Sequence, residues 1–120
     1  MNHPESSLQR TCIRLWRLRH REFGVPDHRL LNSVPNGGKR NVVTAVIMKA
    51  EGQIRGFPDL ELQVPMAPYH GLKIEMKVPG GSLSPDQREM ISLLRTQGYD
   101  CRVAHSVDEF FAAIKDYLHR

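Results

Sequence analysis

Two stretches of strict alternation constrain this chain more than any other feature. From Asp59 to Val64, the apolar Leu60, Leu62 and Val64 interleave with the polar Asp59, Glu61 and Gln63. From Leu72 to Val78, Leu72, Ile74, Met76 and Val78 interleave with Lys73, Glu75 and Lys77. Successive side chains on a strand point to opposite faces, so each stretch predicts a strand with one apolar and one polar side. A Pro-containing connection joins them, and they are expected as neighbours in one sheet. Glu75 and Lys77 would then project together, with Met76 turned inward between them and Asp59 opening the preceding strand.

Helices are expected around this sheet. Between Pro4 and about Arg21, Leu8, Cys12, Leu15, Trp16 and Leu18 recur at helical spacing. Pro4 suits the first helical position, and Gly24 with Pro26 should end the helix. Arg10, Arg14, Arg17 and Arg21 fall on its opposite side, a pattern that serves a hydrated helix face as well as a DNA contact. Val43, Val46, Ile47 and Ala50 follow a helical period before Gly52, although their β-branched content leaves a strand open. Ser84-Pro85-Asp86-Gln87 offers an N-cap, a proline at the first helical position and a capping-box glutamine, for a helix running to Gly98. Cys101 to Ala104 reads as a short strand. Ser106 and Glu109 read as a second capping box, opening a last helix that buries Phe110, Phe111, Ile114 and Leu118.

A chain of 120 residues is expected to form one domain, spanning 1–120, with a core that needs neither disulfides nor structural zinc. At 40% hydrophobic and 25% charged residues, the composition is that of a folded protein rather than a disordered one. No apolar run is long enough to cross a bilayer. The start Met-Asn-His-Pro-Glu lacks the features of a secretory signal, so a cytoplasmic location is expected. Cys12 and Cys101 have no C-x-x-C context and are expected as reduced, buried thiols. The net charge of +4 is compatible with a polyanionic partner.

The chemistry concentrates on the polar sides of the two alternating stretches. If they pair as a hairpin, the Asp59 carboxylate approaches that of Glu75, and two carboxylates at close range repel unless a proton or cation lies between them. Carboxylate oxygens are the hard ligands that Mg²⁺ prefers. Lys77 beside them would orient or deprotonate a water and stabilise a pentacovalent phosphorus. The Met76 backbone carbonyl would add to the metal shell, and Glu61 or Glu5 would serve a second ion. The plainer alternatives are a solvated strand face with a weak Glu75–Lys77 pair, Asp59 as a turn residue and Gln87 as a helix cap alone. Asn36-Gly37-Gly38-Lys39-Arg40 reads as an exposed tight loop whose amides and charges could hold a DNA phosphate. His70 reads as a loop histidine.

Four motifs in order, Pro35-Asn36-Gly37-Gly38, Gly56-Phe57-Pro58-Asp59-Leu60, Gly71-Leu72-Lys73-Ile74-Glu75-Met76-Lys77 and Leu83-Ser84-Pro85-Asp86-Gln87, closely resemble the VRR-type nuclease domain of the PD-(D/E)xK superfamily. The resemblance covers nearly the whole chain and implies an α/β fold of the restriction-endonuclease type, a small mixed sheet flanked by helices. It also implies an endonuclease dependent on Mg²⁺ or Mn²⁺, with Asp59 and Glu75 as metal ligands, Lys77 as the catalytic lysine and Gln87 as a motif residue. An acidic residue on the first helix would complete the shell, and Glu5 is the candidate there. Asn36, Gly37, Lys39 and Arg40 are the expected DNA contacts. Free-standing members of this size look like phage or bacterial proteins, and the family includes enzymes acting on branched DNA such as four-way junctions. A homodimer would supply two matched active sites. The competing readings are a general nickase or flap nuclease on the same site, and a non-catalytic basic DNA-binding module.

Overall fold

The structure, a computed structural model, describes residues 4–35 and 41–119. Its helices are α1 (Pro4–Arg19), α2 (Val42–Ala50), α3 (Pro85–Thr96) and α4 (Val107–Leu118). Its strands, β1 (Leu31–Ser33), β2 (Leu60–Leu62), β3 (Leu72–Met76) and β4 (Asp100–Ala104), form one mixed sheet in the order β1-β2-β3-β4. The two alternating stretches pair antiparallel as expected, with Leu60 opposite Ile74 and Leu62 opposite Leu72. β1 adds antiparallel to β2, and β4 lies parallel to β3. The α/β class and the flanked mixed sheet therefore match the expectation.

One side of the sheet carries the apolar parity of both strands. Leu60, Leu62, Leu72, Ile74 and Met76 pack there against Cys12 and Trp16 of α1 and against Phe110, Phe111 and Ile114 of α4. Burying a large aliphatic or aromatic side chain contributes about 1.5–3 kcal/mol, so this layer holds the sheet against the two helices. The polar tips entering it are satisfied. Trp16 Nε1 donates to the His28 carbonyl at 2.9 Å, and the Tyr117 hydroxyl donates to the Val64 carbonyl at 2.6 Å.

The opposite side departs from the simple alternating picture. Lys73, Glu75 and Lys77, the polar set of β3, are buried, Glu75 to 2% exposure. The cause is the parallel β3–β4 pairing, which demands a crossover, and α3 is that crossover. It buries Ile91 and packs against β4, whose Cys101 is buried as expected. A polar face covered by a helix is a water-poor one.

Several boundaries differ from expectation. α1 stops at Arg19 and tightens into a 3₁₀ turn over His20–Phe23, closed by Gly24 at φ +79°. β1 was not expected, since three residues on a sheet edge carry no alternation. β2 begins at Leu60, so Asp59 sits just ahead of the strand. α3 is helical to Thr96, two residues short of Gly98, and its capping box is complete. That of α4 is half formed: Ser106 Oγ accepts from Glu109 N–H, but the Glu109 carboxylate reaches back to His105 N–H at 2.9 Å. α2 settles the open choice in favour of a helix capped by Asn41, yet its apolar side is left bare, with Val43 69% and Val46 61% exposed.

Candidate active site

The antiparallel register that sets Leu60 opposite Ile74 brings Asp59 opposite Glu75 one step further along. Asp59 is held from two directions. Its carbonyl accepts from Val34 N–H at 2.8 Å, and its side-chain Oδ2 accepts from Met76 N–H at 2.8 Å. Pro58 behind it is fully buried and limits the backbone further. The first turn after the Gly-Phe-Pro sequence thus delivers a carboxylate to the end of the β2–β3 hairpin.

Glu75 sits on the face that α3 covers. Its Oε2 accepts from Gln87 Nε2 at 3.1 Å and lies 3.8 Å from Lys77 Nζ. Its Oε1 is buried and has no hydrogen-bond partner among the described residues. An unpaired buried carboxylate oxygen is costly, and the protein lowers that cost by favouring the protonated form. Burial, reinforced by the nearby charge of Asp59, pushes the Glu75 carboxyl up to about 8, while Lys77 opposes the shift. The charge of Glu5, half-buried on α1, adds a smaller contribution in the same direction.

Gln87 is oriented by the helix it begins. Its Oε1 accepts from Ser84 N–H at 2.9 Å, which leaves only the amide nitrogen to face Glu75. Capping and contact with Glu75 are therefore joint duties of one side chain. Met76 meets the site through its N–H, which Asp59 takes, and its own side chain lies in the core. Lys77, 9% exposed, is fixed at its backbone by a 3.0 Å bond from its N–H to the Ala104 carbonyl.

Glu61 does not join this group. Burial works to raise its carboxyl, but Lys73 at 2.7 Å, with Asn32 and Gln63, outweighs burial and holds it below the usual range. Lys73 lies in turn 4.5 Å above the Tyr99 ring. This second pair was visible in the sequence as alternating polar residues, but its partners were not, because Tyr99 and Asn32 come from distant segments. Among the described residues no three acidic, histidine or cysteine side chains converge as a ready metal cluster. Asn36, Gly37, Lys39 and Arg40 lie outside the described residues.

The profile of the VRR-NUC domain matches residues 3–108. The chain belongs to the VRR-NUC family. A solved structure described as "VRR_NUC domain protein" superposes with a TM-score of 0.79 at 28% identity, covering 98% of this chain and 90% of that one. No curated protein matches. VRR-NUC membership implies a nuclease of the PD-(D/E)xK type with DNA as its substrate, and the family generally uses divalent metals. In this VRR-NUC chain Pro58-Asp59 and Glu75-Met76-Lys77, which have the spelling of a PD and an E-x-K element, are brought together by the β2–β3 hairpin.

Proposed function

We propose that the chain is a metal-dependent DNA endonuclease in which Asp59 and Glu75 bind Mg²⁺ or Mn²⁺ and Lys77 is the catalytic lysine. The observation that carries this reading is Glu75 Oε1, a buried carboxylate oxygen without a partner, on a side chain held by Gln87 and facing a second carboxylate across the hairpin. Two hard oxygen donors at a site that resists ionisation suit a hard divalent cation. The Met76 carbonyl and Glu5 complete the proposed ligand set, Glu5 because its charge reaches Glu75.

A bound divalent cation supplies Lewis-acid polarisation of the phosphate and a water of lowered pKa. The protein's own groups do the rest. Lys77, kept from bulk water beside Glu75, offers an ammonium group to the charge that develops on the phosphate. Asp59 is fixed by Met76 N–H, which orients its carboxylate toward Glu75 and the proposed ion. Gln87 maintains the Glu75 carboxylate in one orientation.

The preferred substrate is branched DNA such as a four-way junction, cut by a homodimer with two matched sites in the cytoplasm of a bacterial or phage-infected cell. Support for the homodimer comes from α2, whose Val42, Val43, Val46 and Ile47 are exposed on a short helix. Asn36, Gly37, Lys39 and Arg40, between β1 and α2, are the proposed DNA contacts. The whole of 1–120 acts as one nuclease unit.

The deciding experiment compares cleavage of end-labelled four-way junction, flap and linear duplex with Mg²⁺, Mn²⁺ or EDTA, for wild type and Lys77→Ala. Metal-dependent cutting of the junction, reduced about 100-fold or more in the variant, is the expected result. Equal cutting of all three substrates would favour a general nickase or flap nuclease. Folded wild type that cuts nothing would leave a DNA-binding module.

A further inference from the structure

The first turn of α3 meets Glu75 directly and, at Gly56, the segment that leads to Asp59. Gly56, three residues ahead of Asp59, has a φ of +92°, and a Cβ placed on it would lie 2.6 Å from the Asp86 backbone oxygen. Backbone meets backbone there, so no rotation of a side chain could relieve the clash. The positive φ adds strain for any residue but glycine. The next residue of the same turn, Gln87, holds the tip of Glu75 by the 3.1 Å bond from its Nε2. Asp86 and Gln87 belong to one capped helical turn, stiffened by Pro85 and by both bonds of the capping box. That turn backs the segment leading to Asp59 on one side and the Glu75 carboxylate on the other.

We propose that the first turn of α3 sets the separation of the two carboxylates, with Gly56 and Gln87 as positioning residues acting through Asp59 and Glu75. This rests on the metal-binding reading of the site given above. Gly56 carries no functional group, and its part is to let two backbones approach. Gln87 supplies an amide whose carbonyl end is anchored to the helix and whose nitrogen end is anchored to the ligand. Groups that orient a metal ligand in this way typically change metal affinity or activity by about 10–100-fold when removed.

A purely structural role for Gln87, as a helix cap, makes a different prediction, and Ser84→Ala separates the two. Ser84→Ala removes the hydroxyl that accepts from Gln87 N–H but leaves the Ser84 N–H that orients the amide. Gln87→Met removes the amide altogether. Both weaken the cap and lower the thermal midpoint, and only Gln87→Met frees Glu75. Mn²⁺ binding without DNA, measured by titration calorimetry below either midpoint, should weaken about tenfold or more in Gln87→Met and stay within about twofold of wild type in Ser84→Ala. On DNA, kcat should fall by a similar factor in Gln87→Met alone, with KM unchanged. Gly56→Ala should weaken Mn²⁺ binding as Gln87→Met does, and a folded Gly56→Ala with wild-type affinity would overturn the part given to Gly56.

Equal Mn²⁺ affinities in Gln87→Met and Ser84→Ala would overturn the positioning role. Wild type that binds Mn²⁺ but leaves DNA uncut would refute the nuclease reading, while the Mn²⁺ comparison would still decide the positioning proposal. Wild type that binds no Mn²⁺ would overturn both.

Discussion

Glu75 sits in an environment far from that of its free amino acid. In the metal-free protein its carboxyl is pushed up to about 8 by burial and by Asp59, well above the ordinary carboxylate range near 4.5. The folded state therefore holds a proton that the unfolded chain has released. Between those two values, ionisation favours the unfolded chain, and this contribution to stability falls as pH rises. Above about 8 the slope from this group ends. Under the proposed function a cation bound by Asp59 and Glu75 would replace the proton, so the gain in thermal midpoint on adding Mn²⁺ should be larger at pH 8.5 than at pH 6. Thermal melts across that range, with and without Mn²⁺, test this, and Glu75→Gln should remove both the pH slope and the Mn²⁺ effect. At this scale the sequence was informative where residues act through neighbours at fixed strand spacing, as with Glu75, Lys77 and Asp59. It marked Gly56 only as part of a motif and was silent on its contact with Asp86, which crosses 30 positions of chain and involves backbone alone.

The elements fall into those that announce themselves and those that depend on distant partners. Both C-terminal helices were legible from their caps, because Ser84 and Ser106 satisfy N–H groups within three residues. Ser106→Ala should accordingly destabilise the fold by about 1 kcal/mol. Denaturant melts read the change directly, and an unchanged midpoint would mean that the Glu109–His105 contacts alone secure the start of α4. β2 and β3 were legible as strands, but the burial of Lys73, Glu75 and Lys77 was not, since alternation reports two unlike faces and not what covers the second. α3 covers it because β3 and β4 run parallel, a fact of topology that no local pattern encodes. β1 lacks any such signature, being three residues placed by the partner they pair with, Leu31 to Leu62 and Ser33 to Leu60. α2 showed a helical period but not its lack of cover, because the same apolar spacing serves a buried face and an exposed one.

For the molecule as a whole, bare α2 marks where a second copy would sit under the proposed homodimer. Val46→Glu places a charge at the centre of the apolar set formed by Val42, Val43, Val46 and Ile47, and it disturbs no core contact, since none of these residues belongs to the core. Light scattering after gel filtration should show a dimer for wild type and a monomer for the variant, with the circular dichroism spectrum retained. A wild-type monomer, or a variant that stays dimeric, would exclude this face as the interface. The parallel partner of β3 carries a different consequence, one that concerns a chain still being made. Asp59, Glu75, Lys77 and Gln87 all leave the ribosome before residues 100–104, yet Lys77 is tied to Ala104 and β3 stays an open sheet edge until β4 arrives. A growing or prematurely stopped chain thus carries all four of these side chains without the frame that aligns them. Such a fragment presents an unpaired strand and is prone to edge-to-edge aggregation until the last strand is made.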